Sequence, residues 1–247
     1  MKIQFPRMFS VDSPKAIMAD EFGYLNGINY MAAHTIAGVG DLCGKSTEGC
    51  RGLCLGWYSG QAGIVSDLEQ GINNVRDSRI RKAKYFQNDR KQFMAEMTRH
   101  IEKLAKQSKR LHKELAIRPN GSTDIPFEKI KTDNGQTLPE LFPNVQFIDY
   151  TKHLKRVLDP KRPSNYHITF SLSETNQAEA QTCLDKGFNV AAVFDKLPSH
   201  FMGHKVINGM THDLRHLDPS PCIVGLEPKG RKAKNDTTGF VIRSAGY

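Results

Sequence analysis

The stretch that decides the fold is YHITFSLSETNQAEAQTCLDKGFNVAAVF, residues 166–194. Residues 166–172 alternate between polar and apolar side chains, which predicts a strand. A helical segment follows at residues 175–186 and ends before Gly187, a residue type common just past a helix end. Residues 189–194 are almost all apolar, which is typical of a strand buried on both faces. This order predicts a right-handed βαβ unit within a parallel sheet.

The alternation of strands and helices extends to both sides of this unit. Two helices precede it, at residues 74–87 and from Asp89 onward, the second with Gln92 placed for a capping box. Short apolar segments predict further strands at residues 24–33, 115–117, 145–150, 205–208 and 222–226. One α/β domain with so many parallel strands favours a partial or full (β/α) barrel. An open doubly wound sheet is the alternative.

Length and composition set the class of protein. The chain has 247 residues, 38% hydrophobic and 25% charged, which excludes a fibrous or wholly disordered chain. No apolar run is long enough to span a membrane, and the N-terminus lacks an apolar signal segment. We therefore expect no membrane partner and a cytoplasmic protein. We also expect an N-terminal extension over residues 1–22 and the α/β domain over residues 23–247.

Three of the five cysteines lie close together in a Gly-rich loop, residues 38–63, that follows the first predicted strand. Three thiolates in one loop are suited to hold an iron–sulfur cluster with one open position, or to supply three of four zinc ligands. The lack of a second closely spaced pair favours a [4Fe-4S] cluster over zinc. For zinc, His34 is the local candidate for the fourth ligand and Cys222 the distant one. The three thiols, spaced C-x6-C-x3-C, are Cys43, Cys50 and Cys54.

The position of this loop adds to the argument from ligand type. In a parallel barrel the loops after the strands form the face where active sites lie. The sequence here resembles the radical S-adenosylmethionine (SAM) enzymes, which hold a [4Fe-4S] cluster on three cysteines after the first strand. Their motif is C-x3-C-x2-C with an apolar residue before the last cysteine; Leu53 precedes Cys54, but the spacing here is wider. The resemblance implies that SAM binds the open iron and that an electron donor reduces the cluster.

Segments spread over nearly the whole chain also resemble a family of phage and plasmid proteins akin to the phage gene-product-88-like proteins. The segments are GYLNGINYMAA, DLCGKSTEGCRGLCL, RPNGSTDIPFEKI, LFPNVQFIDYTK, NYHITFSLSE, NVAAVFDKLP and IVGLEPKGRKAKNDTTGFV. This resemblance implies a shared fold and a functional cysteine loop. It supplies no substrate, and for a phage-encoded protein it implies the cytoplasm of the bacterial host.

Polar side chains on the strand at residues 166–172 share one face, because side chains alternate along a strand. In a barrel this face lines the interior and indicates a ligand cavity; an antiparallel strand with one wet face is the alternative. The carboxyl ends of parallel strands meet at one edge, so polar residues there complete the candidate site. We expect catalytic roles for Tyr150, Lys152 and Ser171. We expect cofactor contacts from Asn120, Asp124, Thr169, Ser173 and Lys196.

Positive charge is concentrated in a helical segment, residues 74–114. Residues 76–118 contain 14 Lys or Arg against 5 Asp or Glu, so they carry the whole net charge of +9. Such a segment indicates an anionic partner, first of all nucleic acid; a solvated helix face is the alternative. The candidate nucleic-acid contacts are Lys103, Lys106, Lys109, Arg110 and Lys113. A second basic segment, residues 229–234, is either a site for phosphate or carboxylate or a solvated loop.

These features together predict a radical-SAM-like [4Fe-4S] enzyme of phage or plasmid origin that acts on a nucleic acid or nucleotide. Its substrate is expected near Tyr150, Thr169 and Ser171. The alternative is a protein without enzymatic activity that binds nucleic acid and holds a structural zinc ion in the cysteine loop. The sequence contains neither a Walker A motif nor a G-x-G-x-x-G fingerprint, which argues against NTPases and Rossmann dehydrogenases.

Overall fold

A mostly parallel sheet organises the computed structural model, which describes residues 7–244. The described strands are β1 (Tyr24–Ile28), β2 (Glu114–Arg118), β3 (Gln146–Thr151), β4 (Tyr166–Ser171), β5 (Val190–Phe194), β6 (His200–Phe201), β7 (His204–Asn208), β8 (Ile223–Leu226) and β9 (Val241–Ile242). Their order is β1-β2-β3-β4-β5-β8-β7-β6, with β9 beside β5. All of these neighbours pair in parallel except the hairpin of β6 and β7. The prediction of one α/β domain with a mainly parallel sheet is confirmed.

Nine α-helices connect and flank these strands within residues 7–244. They are α1 (Pro14–Met18), α2 (Glu48–Gly52), α3 (Leu55–Tyr58), α4 (Asn74–Asn88), α5 (Arg90–Arg110), α6 (Leu138–Leu141), α7 (Leu154–Val157), α8 (Gln177–Asp185) and α9 (Gly230–Lys234). The two long helices and the βαβ unit of β4, α8 and β5 lie where the sequence predicts them. The two short helices inside the cysteine loop, α2 and α3, have no periodic signal in the sequence.

Helix α5 shows how the local sequence builds these elements. The side chain of Asp89 caps its first turn by accepting a hydrogen bond from the backbone N–H of Gln92, at 3.0 Å. Phe93, Met97 and Ile101 recur at helical spacing and are fully buried. The apolar pattern continues to Leu111, but the helix ends before it, and Leu111 is exposed. The chain then turns, through a residue with positive φ, into β2.

The two faces of the sheet are covered differently. Helices α5, α7 and α8 pack on one face, and α4 packs against α5. This face holds the main core, to which β4 contributes Ile168 and Phe170. On the other face Ala19 and Leu214 pack against the strands in one smaller apolar cluster, and a second small cluster forms around Ala191 and Val224. The polar residues of β4 therefore point away from the long helices.

The sheet is open, so the expected full barrel does not form. Closure would require β1 to pair with the last strand of the sheet. Instead the free edge of β1 is occupied by Ser10, which forms an antiparallel bridge with Ile28 through two hydrogen bonds of 2.8 and 2.9 Å. The opposite edge is the β6–β7 hairpin. The β1 edge is thus taken by the N-terminal residues, and the two ends of the sheet do not pair with each other.

The first strand is also shorter than the apolar segment that predicts it. Residues 24–33 read as one strand, but β1 ends at Ile28. Beyond it the backbone N–H of Asn29 bonds to Arg118, and that of Ala32 bonds to Arg79 on α4. The chain therefore leaves the sheet early and enters the cysteine loop. None of the helices in residues 7–244 is long and apolar enough to span a bilayer.

Candidate active site

A cavity of about 720 Å³ lies at the carboxyl ends of the parallel strands. Its lining includes the final residues of β2, β3, β4 and β8 together with the cysteine loop. Cys43, Cys50 and Cys54 all line it, and so do Tyr150, Lys152 and Ser171, the residues predicted to be catalytic. A second cavity, of about 700 Å³, lies between residues 58–68 and 230–231 and contains none of the predicted site residues.

Hydrogen bonds within the cysteine loop fix its first half. The backbone N–H of Cys43 donates to the carboxylate of Asp41 at 2.8 Å. Arg51 on α2 forms an ion pair with the same carboxylate at 2.9 Å and donates to the Ser46 hydroxyl at 2.7 Å. Thr47 caps α2 by accepting a hydrogen bond from the N–H of Cys50. Cys43 and Cys50 are therefore attached to one hydrogen-bonded unit.

Glu174, three residues after the end of β4, ties this loop to the sheet. One of its carboxylate oxygens accepts from the Thr47 hydroxyl and the other from the backbone N–H of Gly49, both at 2.8 Å. A Cβ at residue 49 would lie 2.9 Å from the Glu174 carboxylate and 2.3 Å from the Thr238 hydroxyl, so only glycine allows this approach. The sequence analysis missed Glu174; its position just after a strand end was the available signal.

Two of the three thiols, those of Cys43 and Cys54, lie in an environment that opposes their ionisation. Burial raises the pKa of Cys43 to about 12, and burial together with the neighbouring Cys50 raises the pKa of Cys54 to about 11. The positive charge of Arg79 on α4 acts against this shift at Cys54. Arg79 also donates to the carbonyl of Gly56. A bound cation at this wall of the cavity would favour the thiolate forms that the protein alone does not stabilise.

The donor set fits a thiophilic metal centre in composition, although the described side chains are not grouped around one point. Within residues 7–244 no three His, Cys, Asp or Glu side chains are arranged to hold a metal ion. The three thiols nevertheless share one cavity wall, and the backbone N–H of His34 donates to the Cys43 sulfur at 3.3 Å. His34 itself also lines the cavity. Soft thiolates are the ligands that iron–sulfur clusters and zinc prefer.

Lys152 and Ser171 form a direct pair in the cavity. The Lys152 ammonium donates to the Ser171 hydroxyl at 3.1 Å. The backbone N–H of Lys152 donates to one oxygen of Asp124 at 2.9 Å, and Thr151 donates to the other at 2.8 Å. Arg156 forms an ion pair with the same carboxylate. Asp124, predicted to contact a cofactor, lines the cavity but is used to hold the end of β3.

Tyr150 belongs to a second polar group in the cavity, centred on Asp213. The Tyr150 hydroxyl donates to Asp213 at 3.2 Å, and the guanidinium of Arg118 lies 4.7 Å from the Tyr150 ring centre. Asp213 also forms ion pairs with Arg118 and Lys15, which hold the pKa of its carboxyl far below the usual range despite its burial. Sequence reasoning missed Asp213 because its partners are distant in the chain.

The remaining predicted cofactor contacts are not brought to the cavity lining. Asn120 is buried, and its amide donates to Asp149 at 2.6 Å and to a backbone carbonyl. Thr169 and Ser173 are buried, and their hydroxyls have no hydrogen-bond partner within the described residues. Lys196 is exposed beyond β5, away from the cavity. Asn120 has a structural function: it holds the loop after β2 against β3.

The basic segment divides between the interior and the surface. Arg76 is fully buried and donates to four backbone carbonyls, and Lys82 is almost fully buried. Arg118 lines the cavity, and Lys113 forms an ion pair with Asp20. Four of the five predicted nucleic-acid contacts are exposed along the last turns of α5, namely Lys103, Lys106, Lys109 and Arg110.

Comparison with known proteins gives one match. A family model described as Gene product 88 matches residues 11–244. No curated protein and no solved structure matches the chain. The matched range includes every described strand, the three thiols of the loop, Lys152 and Ser171.

Proposed function

The chain belongs to the gene product 88 family, and on that premise we propose that it is an enzyme whose active site is the thiol-lined cavity. The observation that carries this proposal is the shared location of two kinds of chemistry. Three soft ligands from the loop after β1 and the Lys152–Ser171 pair from β3 and β4 line the same cavity. Catalytic sites in parallel α/β proteins lie at this end of the strands.

The favoured cofactor is a [4Fe-4S] cluster held by Cys43, Cys50 and Cys54, with SAM at its open iron. The position of the loop directly after β1 and the sequential order of β1 to β5 support this resemblance to radical SAM enzymes. When bound, the cluster would supply one electron to the sulfonium of SAM. Zinc is the alternative metal, with His34 as the nearby fourth ligand.

The chain's own residues would bind and orient the reacting molecule. The Lys152 ammonium donates to Ser171, so the Ser171 hydroxyl keeps its own hydrogen to donate into the cavity. This pair can hold a carbonyl or hydroxyl of the substrate at a fixed point. Leu53, Leu226 and Phe240 give the cavity apolar walls that limit its water content.

The test is the binding of SAM to the cluster-loaded protein, purified and reconstituted without oxygen. We expect SAM to change the electron paramagnetic resonance spectrum of the reduced cluster in the wild type. The Cys183→Ala variant is the control, since Cys183 is buried in the helical core, and it should behave as the wild type. Cys50→Ala should lose the cluster signal. A loaded wild-type protein whose spectrum SAM leaves unchanged would overturn the proposal.

The second candidate function is nucleic-acid binding through α5. The observation that favours it is the exposure of Lys103, Lys106, Lys109 and Arg110, for which the described residues provide no ion pair. Lys103, Lys106 and Lys109 are spaced three residues apart, and Arg110 adjoins Lys109. This spacing places the four cations on neighbouring turns at the end of the helix. Such a row can follow a phosphate backbone.

Salt dependence tests this second function. If α5 binds nucleic acid, affinity should fall steeply with salt because each neutralised phosphate releases counterions. Replacing the four exposed cations with Gln should reduce the slope of log affinity against log salt by roughly one per phosphate contact. Lys161→Gln with Lys186→Gln is the control, since both lysines are exposed elsewhere. An unchanged slope in the α5 variant would contradict nucleic-acid binding by α5 and support the alternative, a solvated helix face.

A further inference from the structure

Two cations contact one buried carboxylate, and a third cation lines the cavity with them, at the side formed by β2, the N-terminal helix and the chain after β8. Lys15 on α1 contacts one oxygen of Asp213 at 2.8 Å, and Arg118 at the end of β2 contacts the other at 2.6 Å. The Asp213 side chain is only 1% exposed. The third cation, Lys229, precedes α9 and lines the same cavity.

Of the three cations, Lys229 is the one that forms no ion pair with a carboxylate among the described residues. It is half-buried, and no carboxylate within residues 7–244 pairs with it. Burial and the nearby charge of Lys15 lower its pKa. Asp213 already forms ion pairs with Lys15 and Arg118, and the neighbouring Glu227 is exposed to water. Three cations against the two carboxylates of Asp213 and Glu227 leave an excess of one positive charge on this side of the cavity.

The loop that carries Lys229 is fixed in place. Gly230 has a φ of +85°, and a Cβ there would lie 2.9 Å from the Tyr58 carbonyl, so the backbone of the loop packs directly on α3. Lys232 on α9 pairs with Glu69 and lies 4.0 Å from the Tyr58 ring centre. Lys229 is therefore held at the cavity by contacts that its neighbours make.

We propose that Lys15, Arg118 and Lys229 form an anion site that binds a phosphate or carboxylate group of the molecule taken into the cavity. The inference deepens the proposed function, and it rests on that proposal only in treating the cavity as the active site. Excess positive charge in a partly buried place is stabilised by an anion with several acceptor oxygens. Three cationic donors favour phosphate, which offers more acceptor oxygens than a carboxylate does and carries close to two negative charges near pH 7.

The cations and the thiols come from different parts of the cavity lining. Lys15, Arg118 and Lys229 lie on α1, at the end of β2 and after β8, whereas the three thiols lie in the loop after β1. A substrate bound by its anionic end at Lys229 would thus extend across the cavity toward the metal ligands. The site therefore requires an anionic substrate. The reacting part of that substrate would lie near Lys152 and Ser171.

Calorimetric titration of the full chain without iron tests the inference, with inorganic phosphate in one arm and acetate in the other. We expect phosphate to bind, and Lys229→Gln to weaken its affinity about tenfold or more, the usual effect of losing a charge-assisted hydrogen bond. Lys15→Gln is the second variant. Lys186→Gln, an exposed lysine at the end of α8, is the matched control and should bind as the wild type.

The outcomes separate this inference from the proposed function. Tighter binding of acetate than of phosphate, lost in Lys229→Gln, would identify the substrate group as a carboxylate and support the site. Absence of binding by both anions, or equal affinities of the wild type and Lys229→Gln, would overturn it. Because the titration uses no iron, anion binding that persists while SAM fails to perturb the cluster contradicts the proposed function alone.

Discussion

The two faces of β4 give neighbouring residues different functions. Phe170 is fully buried in the helical core, whereas Ser171 lies in the cavity beside Lys152. A side chain in the core contributes to stability through packing, and one in the cavity contributes through the groups it presents to a ligand. Because the two residues are adjacent in the chain, substitutions at them compare a loss of core packing with a loss of ligand contact at nearly the same place in the sheet.

Truncation of the two residues should separate stability from binding. Phe170→Ala should destabilise the protein by about 3–5 kcal/mol, because it removes a buried ring and leaves a cavity. Ser171→Ala should cost no more than about 1 kcal/mol, the usual net value of one hydrogen bond, and should weaken ligand binding in the cavity. Urea unfolding measures both free energies. Equal losses in the two variants would contradict the assignment of Ser171 to the cavity.

His167, two residues before Thr169 on the same face of β4, gives stability a distinct pH dependence. Its Nε2 atom is buried without a hydrogen-bond partner within the described residues. Burial lowers its pKa to about 4, with the nearby charges of His216, Arg162 and Arg215 acting in the same direction. The unfolded chain therefore binds more protons than the folded one between pH 6.5 and 4. Stability from this residue is complete above pH 6.5 and is lost as the pH falls toward 4.

The comparison of the wild type with His167→Gln isolates this contribution. Asp149 and Asp218 act in the opposite direction, since burial raises the pKa of each carboxyl to about 6, but both remain in the variant. Between pH 7 and pH 5 the wild type should lose about 2 kcal/mol more of its free energy of unfolding than the variant does. Urea unfolding at the two pH values provides the measurement. Parallel pH profiles would show that His167 does not titrate as the structure requires.

The cysteine loop is the element whose order depends most on one side chain. Glu174 accepts hydrogen bonds from both Thr47 and Gly49, and these two contacts join the loop to the end of β4. Glu174→Ala leaves the N–H of Gly49 without its partner, which costs about 1–3 kcal/mol for a buried donor. We expect the loop to open more often and the loop thiols to react several times faster with a thiol reagent.

The matched control for this variant is Glu179→Gln, on α8 a few residues away. The described residues give its carboxylate no hydrogen-bond partner, so thiol reactivity should stay at the wild-type value. Cys183 and Cys222 are buried and should contribute little to the reaction in the native protein. Unchanged thiol reactivity in Glu174→Ala would mean that the loop keeps its order without this contact.

Whether the sequence predicts one of these elements depends on how far apart in the chain the interacting residues lie. α5 and the β4–α8–β5 unit are predictable because their apolar periodicity, caps and glycine stops are local. The early end of β1 is not predictable, since it depends on bonds from Asn29 and Ala32 to distant residues. The same applies to Asp213, which Lys15 reaches across 198 residues. Glu174 lies between these cases, because only its position after a strand end is local.

At the scale of the whole molecule, an open, mostly parallel sheet carries the long helices on one face and a cavity at its carboxyl edge. The positive excess of residues 76–118 is divided: Arg76 and Lys82 support the interior, Arg118 faces the cavity, and the end of α5 presents its cations to solvent. The cations that form one basic segment in the sequence therefore lie in three separate places: the interior, the cavity and the surface. The cavity unites residues from the first five strands, the eighth and the ninth, or from the loops after them.

The central claim is that the loop thiols hold an iron–sulfur cluster at this cavity, and the metal and sulfide content of the protein tests it most directly. The chain is purified without oxygen and analysed for iron, zinc and acid-labile sulfide. The account predicts about four iron and about four sulfide per chain, with a loss of both in Cys43→Ala, Cys50→Ala and Cys54→Ala and no loss in Cys183→Ala. One zinc per chain without sulfide, or iron that survives replacement of the loop cysteines, would contradict it.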